Sequence, residues 1–252
     1  MVDVLRAAKR FVLIATTTVV LDAIFRLGPR TRRWRNFMVR TWARVLSRHL
    51  GLHASVEGPR PDGGFLLVAN HVSYIDILLL AQHVDVVFIA KSDVRQWPFI
   101  GRLAGSVGTI FVDRNSRRDS LRVSGAMRDA IGRGAAVALF PEGTSSDGSD
   151  VLPFKSTLLE VAAADAVPVH YAAIRYDDPR VAWYGDMTLP PHLWMLLTLR
   201  RIDASLHFGG PLVSRDRKRL ALELHRAVQL QILGRRAEDL ADAPRLRRAA
   251  AR

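Results

Sequence analysis

The 252-residue chain has no cysteine, which removes disulfides, thiolate nucleophiles and cysteine-based zinc sites. No Gly-x-Ser-x-Gly elbow is present, which disfavours a serine esterase built on that turn. No internal repeat is evident. Acidic residues are scarce, 24 against 37 Lys and Arg, for a formal charge of +13. Between Ala23 and Val56 there are none, while Arg26, Arg30, Arg32, Arg33, Arg35, Arg40, Arg44 and Arg48 crowd the same stretch. Such a surplus asks for an anionic partner, either nucleic acid or lipid headgroups. A long hydrophobic run is also missing. The best candidate, residues 11–25, contains Thr16, Thr17, Thr18 and Asp22. It falls short of the roughly 20 apolar residues that a bilayer crossing needs.

What is present is a chain 49% hydrophobic, enough for one sizeable α/β domain with a real core. Arg6, Lys9 and Arg10 precede the apolar run, and no small-x-small cleavage site follows it. The segment reads as an uncleaved helix that enters the membrane or lies in it, held on the cytoplasmic side by its arginines. After Gly28-Pro29, residues Trp34, Phe37, Met38, Thr41, Trp42, Val45, Leu46 and His49 fall at three- and four-residue steps and share one helical face. A tryptophan-bearing apolar face beside an arginine face is the pattern of an interfacial membrane helix. With no nucleic-acid module in the chain, that pattern favours membrane lipids over nucleic acid.

From residue 51 onward strands and helices alternate. Strands are expected at 65–69, 86–90, 109–112, 136–140, 167–174 and 204–208, and helices at 75–82, 117–132, 154–164 and 214–233. The expected architecture is a central, mostly parallel sheet flanked by helices, preceded by a membrane-docking helix pair. It divides into membrane-associated helices over 1–50, an α/β domain over 51–234, and a frayed or loosely helical basic tail over 235–252.

Three segments carry chemistry. Asn70-His71-Val72-Ser73-Tyr74-Ile75-Asp76 follows the first expected strand. A histidine at a strand end can fold back onto an aspartate at the next helix start. Asp76 would fix the tautomer, leaving the other ring nitrogen to take a proton from an attacking hydroxyl. Phe140-Pro141-Glu142-Gly143-Thr144 follows another strand, where Gly and Thr let amides turn toward an anion or a developing oxyanion. Gly108 to Arg114 forms a short strand ending in Asp113-Arg114, whose guanidinium could grip a phosphate. Each motif alone has a bland reading as a turn, a surface pair or a structural histidine. Together they stand at strand ends, where ligands gather in parallel sheets.

In this order the blocks resemble the glycerolipid acyltransferases, the family of the 1-acylglycerol-3-phosphate acyltransferases. His71 and Asp76 match its His-x4-Asp block, Phe111 and Arg114 its second, residues 140–144 its third, and Val167-Pro168-Val169 its fourth. Lys91 and Trp97 to Gly101 also sit where family members carry similar residues. The resemblance implies an acyl chain moved from acyl-CoA or acyl-carrier protein to the free hydroxyl of a lysolipid, with no cofactor or metal. His71 would be the base and Asp76 its orienter, with Arg114, Glu142, Gly143, Thr144 and Lys91 around the substrate. The family's best-known acceptor is 1-acyl-sn-glycerol-3-phosphate, which becomes phosphatidic acid, and it is the first expectation here. One departure bears on the acceptor: Ser145 stands where those enzymes usually carry Arg. That version, with Trp183 to Asp186 and Pro191 to Trp194, looks like the lyso-ornithine lipid acyltransferases. A thioester hydrolase using the same pair, and a membrane adaptor using neither residue, are the competing readings.

Overall fold

The computed structural model describes residues 2–97, 100–113 and 116–249. Helices α1 (Val2–Leu27) and α2 (Arg32–Leu50) come first, and strands β1 (Leu52–Glu57) and β2 (Leu66–Ala69) follow. Then come α3 (Asp76–Ala81), β3 (Val86–Lys91), α4 (Ile100–Ser106), β4 (Ile110–Val112), α5 (Arg117–Gly132) and β5 (Ala136–Leu139). The chain continues through α6 (Glu160–Asp165), β6 (Val169–Tyr176), α7 (Leu189–Thr198), β7 (Ile202–Leu212) and α8 (Arg217–Ala249). The strands form one seven-stranded sheet in the order β1-β7-β6-β2-β5-β3-β4. Every neighbouring pair is parallel except β6 and β7.

Because helices cover both faces, the central strands are apolar without alternation. In β2, Leu67 and Ala69 join a core with α2, α3 and α7, while Leu66 and Val68 join another with α5, α6 and α8. The strand β5 divides likewise, with Ala136 and Ala138 on the first side and Val137 and Leu139 on the second. Both four-residue strands are completely buried, which is why short apolar runs suffice to mark them.

Strand β1 and helices α4 and α7 are additions to the expected elements. β1 is an edge strand whose buried and outward positions alternate over Leu-His-Ala-Ser-Val-Glu, so its apolar signal is thin. The helix expected over 214–233 begins at Arg217, and residues read as a tail continue it as far as Ala249.

The expected N-terminal helix pair is present, with α2 turning most of its apolar face inward. Helix α2 starts with the Thr31 hydroxyl accepting from the Trp34 amide at 3.2 Å, and ends at Gly51 in the left-handed conformation. Most of its tryptophan-bearing face turns inward. Met38 and Leu46 are buried, Trp42 donates to Thr18 at 3.2 Å, Trp34 donates to the Phe25 carbonyl at 3.2 Å, and His49 lies 3.1 Å from Thr17. Phe37 stays exposed. The reason is packing: that face serves α1 and the domain core at once, so the expectation that it meets lipid is corrected. The outward apolar surface belongs to α1, where Leu5, Phe11, Val12, Val19, Val20 and Leu27 are exposed. Among the described residues no helix is long and apolar enough to cross a membrane.

The basic start of α1 also has an internal task. Arg6 donates to the Thr198 carbonyl at 2.7 Å, and Arg10 to the carbonyls of Leu197, Leu199 and Arg200. The Leu197 and Thr198 carbonyls are orphans of the C-terminal turn of α7 and the other two follow directly after it, where positive charge also meets the negative end of the helix dipole. Removing the guanidinium in Arg10→Ala leaves them without those donors, so unfolding in urea should show a loss of about 1–3 kcal/mol. An unchanged midpoint would mean that water replaces the contact freely.

Candidate active site

Strands β2, β5, β3, β4 and β6 run parallel, so their C-terminal ends share one edge of the sheet. The segment after β2 crosses this edge. Asn70, itself buried, prolongs the pairing of β2 with β6: its side chain donates to the Ile174 carbonyl at 2.8 Å and accepts from the Ile174 amide at 2.7 Å. This fixes where the chain leaves the sheet.

His71 and Asp76 meet as expected. His71 Nδ1 lies 2.8 Å from Asp76 Oδ2. The aspartate is fully buried, and such a charge is tolerated only when its lone pairs are taken up. Oδ2 also accepts from the amides of Val72 at 2.8 Å and Ser73 at 3.0 Å, and Oδ1 accepts from the Tyr176 hydroxyl at 2.7 Å. Burial, and then the Asp76 charge, hold the Tyr176 phenol well above its ordinary range, so it remains a donor. The imidazole is therefore fixed as the Nδ1–H tautomer, with Nε2 as the acceptor nitrogen. One ring face stacks on Phe140, with centroids 4.1 Å apart. At 19% side-chain exposure the ring is reachable.

The backbone beneath is equally tied. His71 N donates to Glu142 Oε1 at 2.9 Å, and His71 O accepts from the Ser146 amide at 2.9 Å. Val72 O accepts from the Trp183 amide at 2.9 Å. All four amide and carbonyl groups of His71 and Val72 are thus held. Glu142, expected at a substrate headgroup, is instead 3% exposed and faces this backbone. Its burial follows from its use as an anchor. Gly143 has a positive φ of 82°, and its amide donates to the Phe140 carbonyl at 3.1 Å. That amide closes the turn instead of facing an oxyanion. Thr144 is exposed at the same corner. Lys91 ends β3 on the same edge, exposed and paired with Asp93. β5 lies between β3 and β2, so Lys91 is not part of the cluster around His71. Arg114 lies outside the described residues. Ser145, in the place of the usual Arg, donates its hydroxyl to the Trp183 carbonyl.

Tyr176, Ser146 and Trp183 were not singled out from sequence as parts of this site. Tyr176 could have been suspected as a polar tip ending a buried strand. Amide contacts such as those of Ser146 and Trp183 leave no trace in residue type.

A buried carboxylate, a fixed tautomer and an accessible Nε2 are what general-base catalysis on a hydroxyl requires. A family model described as Acyltransferase matches residues 53–175. A lyso-ornithine lipid O-acyltransferase of Rhizobium meliloti is 36% identical over 263 aligned positions, covering 92% of this chain and 86% of that protein. The chain belongs to the acyltransferase family. It is an O-acyltransferase, and its reaction moves an acyl group from a donor to an acceptor hydroxyl. Another relative of this acyltransferase is the 1-acyl-sn-glycerol-3-phosphate acyltransferase of Neisseria gonorrhoeae, 35% identical over 63% of this chain and 64% of its own. The fold matches the crystal structure of the LPA acyltransferase PlsC of Thermotoga maritima, with a TM-score of 0.66 over 92% of this chain and 98% of that one, at 22% identity.

The Glu142 carboxyl generates a pH dependence. Burial pushes it up to about 7 from 4.5, against the pull of the His71 and Leu152 amides and aided by the Asp76 and Asp150 charges. Its folded value lies above its unfolded one. The folded state therefore holds more proton between these values, and stability falls as pH rises across that window. The full span amounts to about 3 kcal/mol. In Glu142→Gln this contribution disappears. Urea unfolding at a series of pH values should show wild type losing stability relative to the variant between pH 4.5 and 7. A constant difference would show that the carboxyl ionises as it does in water.

Proposed function

We propose that this acyltransferase moves a fatty acyl chain from a thioester donor, acyl-CoA or acyl-carrier protein, to the hydroxyl of lyso-ornithine lipid at a membrane surface. His71 Nε2 takes the acceptor's proton as its oxygen attacks the thioester carbonyl. The tetrahedral intermediate collapses, the C–S bond breaks, and the leaving thiolate receives the proton from Nε2. Asp76 orients the imidazole and stabilises its charged form. Glu142 and Ser146 hold the backbone that carries it. Gly143 closes the adjoining corner, Thr144 and Lys91 lie on the edge where the strands end, and Arg114, by the family resemblance, is assigned to the substrate.

The acceptor assignment rests on Ser145. A hydroxyl turned to the Trp183 carbonyl replaces a guanidinium suited to a phosphate monoester. The span of similarity supports the same choice. Relatives named for lyso-ornithine lipid, from Rhizobium meliloti and Brucella abortus, align over 92% and 80% of the chain, against 63% for the Neisseria gonorrhoeae enzyme. Acylation of 1-acyl-sn-glycerol-3-phosphate to phosphatidic acid is the second reading, supported by that relative and by the Phe111 and Arg114 block.

With labelled acyl-CoA in mixed micelles, ester product should form with lyso-ornithine lipid and exceed that with lysophosphatidic acid. His71→Ala should lower turnover by about 10²–10⁴-fold. Product with lysophosphatidic acid alone would select the second reading. Fatty acid released without any acceptor dependence would indicate a hydrolase.

The docking surface in this reading is the outward face of α1, with the nearby arginines meeting anionic headgroups. On anionic vesicles, high salt should release only part of the bound protein, because buried apolar area is not screened. Complete release by salt would remove the apolar contribution.

A further inference from the structure

A cleft of about 550 Å³ opens between α4, α5 and the edge strand β4, and its lining includes Arg95, Arg102, Arg122, Phe111, Gly101 and Gly105. No carboxylate is among its described lining residues. Arg122 is held in place, its Nε donating to Asp119 at 2.6 Å and a terminal nitrogen to the Phe111 carbonyl at 2.6 Å. The guanidinium carbon of Arg95 lies 6.0 Å from the centre of the Phe111 ring. Contact through that flat face leaves the N–H donors, which lie in the guanidinium plane, to other partners. Among the described residues neither Arg95 nor Arg102 is paired with a carboxylate. Gly101 permits the close approach of the two, because a Cβ there would stand 2.1 Å from the Arg95 carbonyl oxygen. Two unmatched positive charges in one concavity attract an anion.

The place of the cleft selects the anion. In the sheet, β5 and β3 separate β4 from β2. Adjacent strands stand about 4.8 Å apart, so the cleft is about 14 Å from the strand end that carries His71. The phosphate of lysophosphatidic acid sits only a few bonds from the hydroxyl that reacts, and so does the carboxylate of lyso-ornithine lipid. Either headgroup therefore stays near His71 while its hydroxyl is there. Coenzyme A is built differently, because the whole pantetheine arm stands between its sulfur and its phosphates. That arm spans a gap of this size, and a cluster of phosphates meets in Arg95 and Arg102 the planar donors that suit them.

We propose that this cleft binds the phosphates of an acyl-CoA donor, with Arg95 and Arg102 as their partners and the thioester reaching back along the sheet edge to His71. The inference rests on the thioester-donor reading above, chooses the carrier, and holds for either acceptor. It makes the two arginines determinants of donor specificity, since they bind the carrier without touching the reacting atoms. The test measures KM and kcat for palmitoyl-CoA in wild type, Arg95→Gln, Arg102→Gln and the double variant, with thermal melting to verify folding. The acceptor is whichever lysolipid the wild type acylates. The double variant should raise KM for palmitoyl-CoA by about tenfold or more, with kcat within about twofold. S-palmitoyl-pantetheine, which keeps the arm and lacks the phosphates, should serve wild type and double variant equally well. A Cβ at Gly105 would meet only the Phe111 ring, at 4.0 Å, so Gly105→Leu adds bulk inside the cleft without changing its charge. That variant should raise KM for palmitoyl-CoA and spare the pantetheine thioester. A KM for palmitoyl-CoA indifferent to the arginine substitutions, or an equal loss with the pantetheine thioester, would overturn the cleft alone. So would a wild type that uses palmitoylated acyl-carrier protein and not palmitoyl-CoA. A wild type that transfers the chain from neither carrier to any lysolipid would overturn the proposed function and the cleft with it.

Discussion

The carboxylate of Asp76 is the constraint around which the site is built. A fully buried anion survives only if donors surround it, and here an imidazole, two amides and a phenol do so. These donors come from the segment after β2 and from the end of β6, so satisfying one charge joins two neighbouring strands. The orientation of His71 is a by-product of that solvation. Electrostatic necessity, more than contact with substrate, explains why the loop has the shape it has.

A second buried acid works from the opposite side. Glu142 reaches from the end of β5 to the His71 amide, while Ser146 in the same loop donates to the His71 carbonyl. The His71 imidazole is therefore suspended between three adjacent strands of the sheet, β6, β2 and β5. Asn70 adds a side-chain imitation of strand pairing just before the chain departs. Preorganisation of this kind sets the imidazole in place before any substrate arrives.

The parts of this design legible in the sequence are those that residue type alone encodes. The doubly buried strands β2 and β5 show as unbroken apolar runs, α5 shows through its period, and the His71–Asp76 pair through its position at a strand end. Strand β1 is harder to see, because an edge strand with one solvated face carries few apolar residues. The direction of an amphipathic face is harder still: α2 has the pattern expected at a bilayer, yet the neighbouring α1 takes up most of it. Periodicity reports that a face is apolar and is silent on what covers it. Glu142 shows the same gap for a charge, since only tertiary structure reveals that its partner is a backbone amide 71 residues away.

Helix α7 connects these regions mechanically. Its last two carbonyls accept from arginines of α1, while near its other end His192 lies 3.1 Å from the Tyr74 hydroxyl and from the carbonyls of Arg180 and Ala182. Tyr74 sits between His71 and Asp76 in the chain. Under the proposed docking through α1, the height of the imidazole above the bilayer becomes a dimension of the folded body. An acceptor is then measured as by a gauge: its hydroxyl must rise to that level while its chains stay in the membrane.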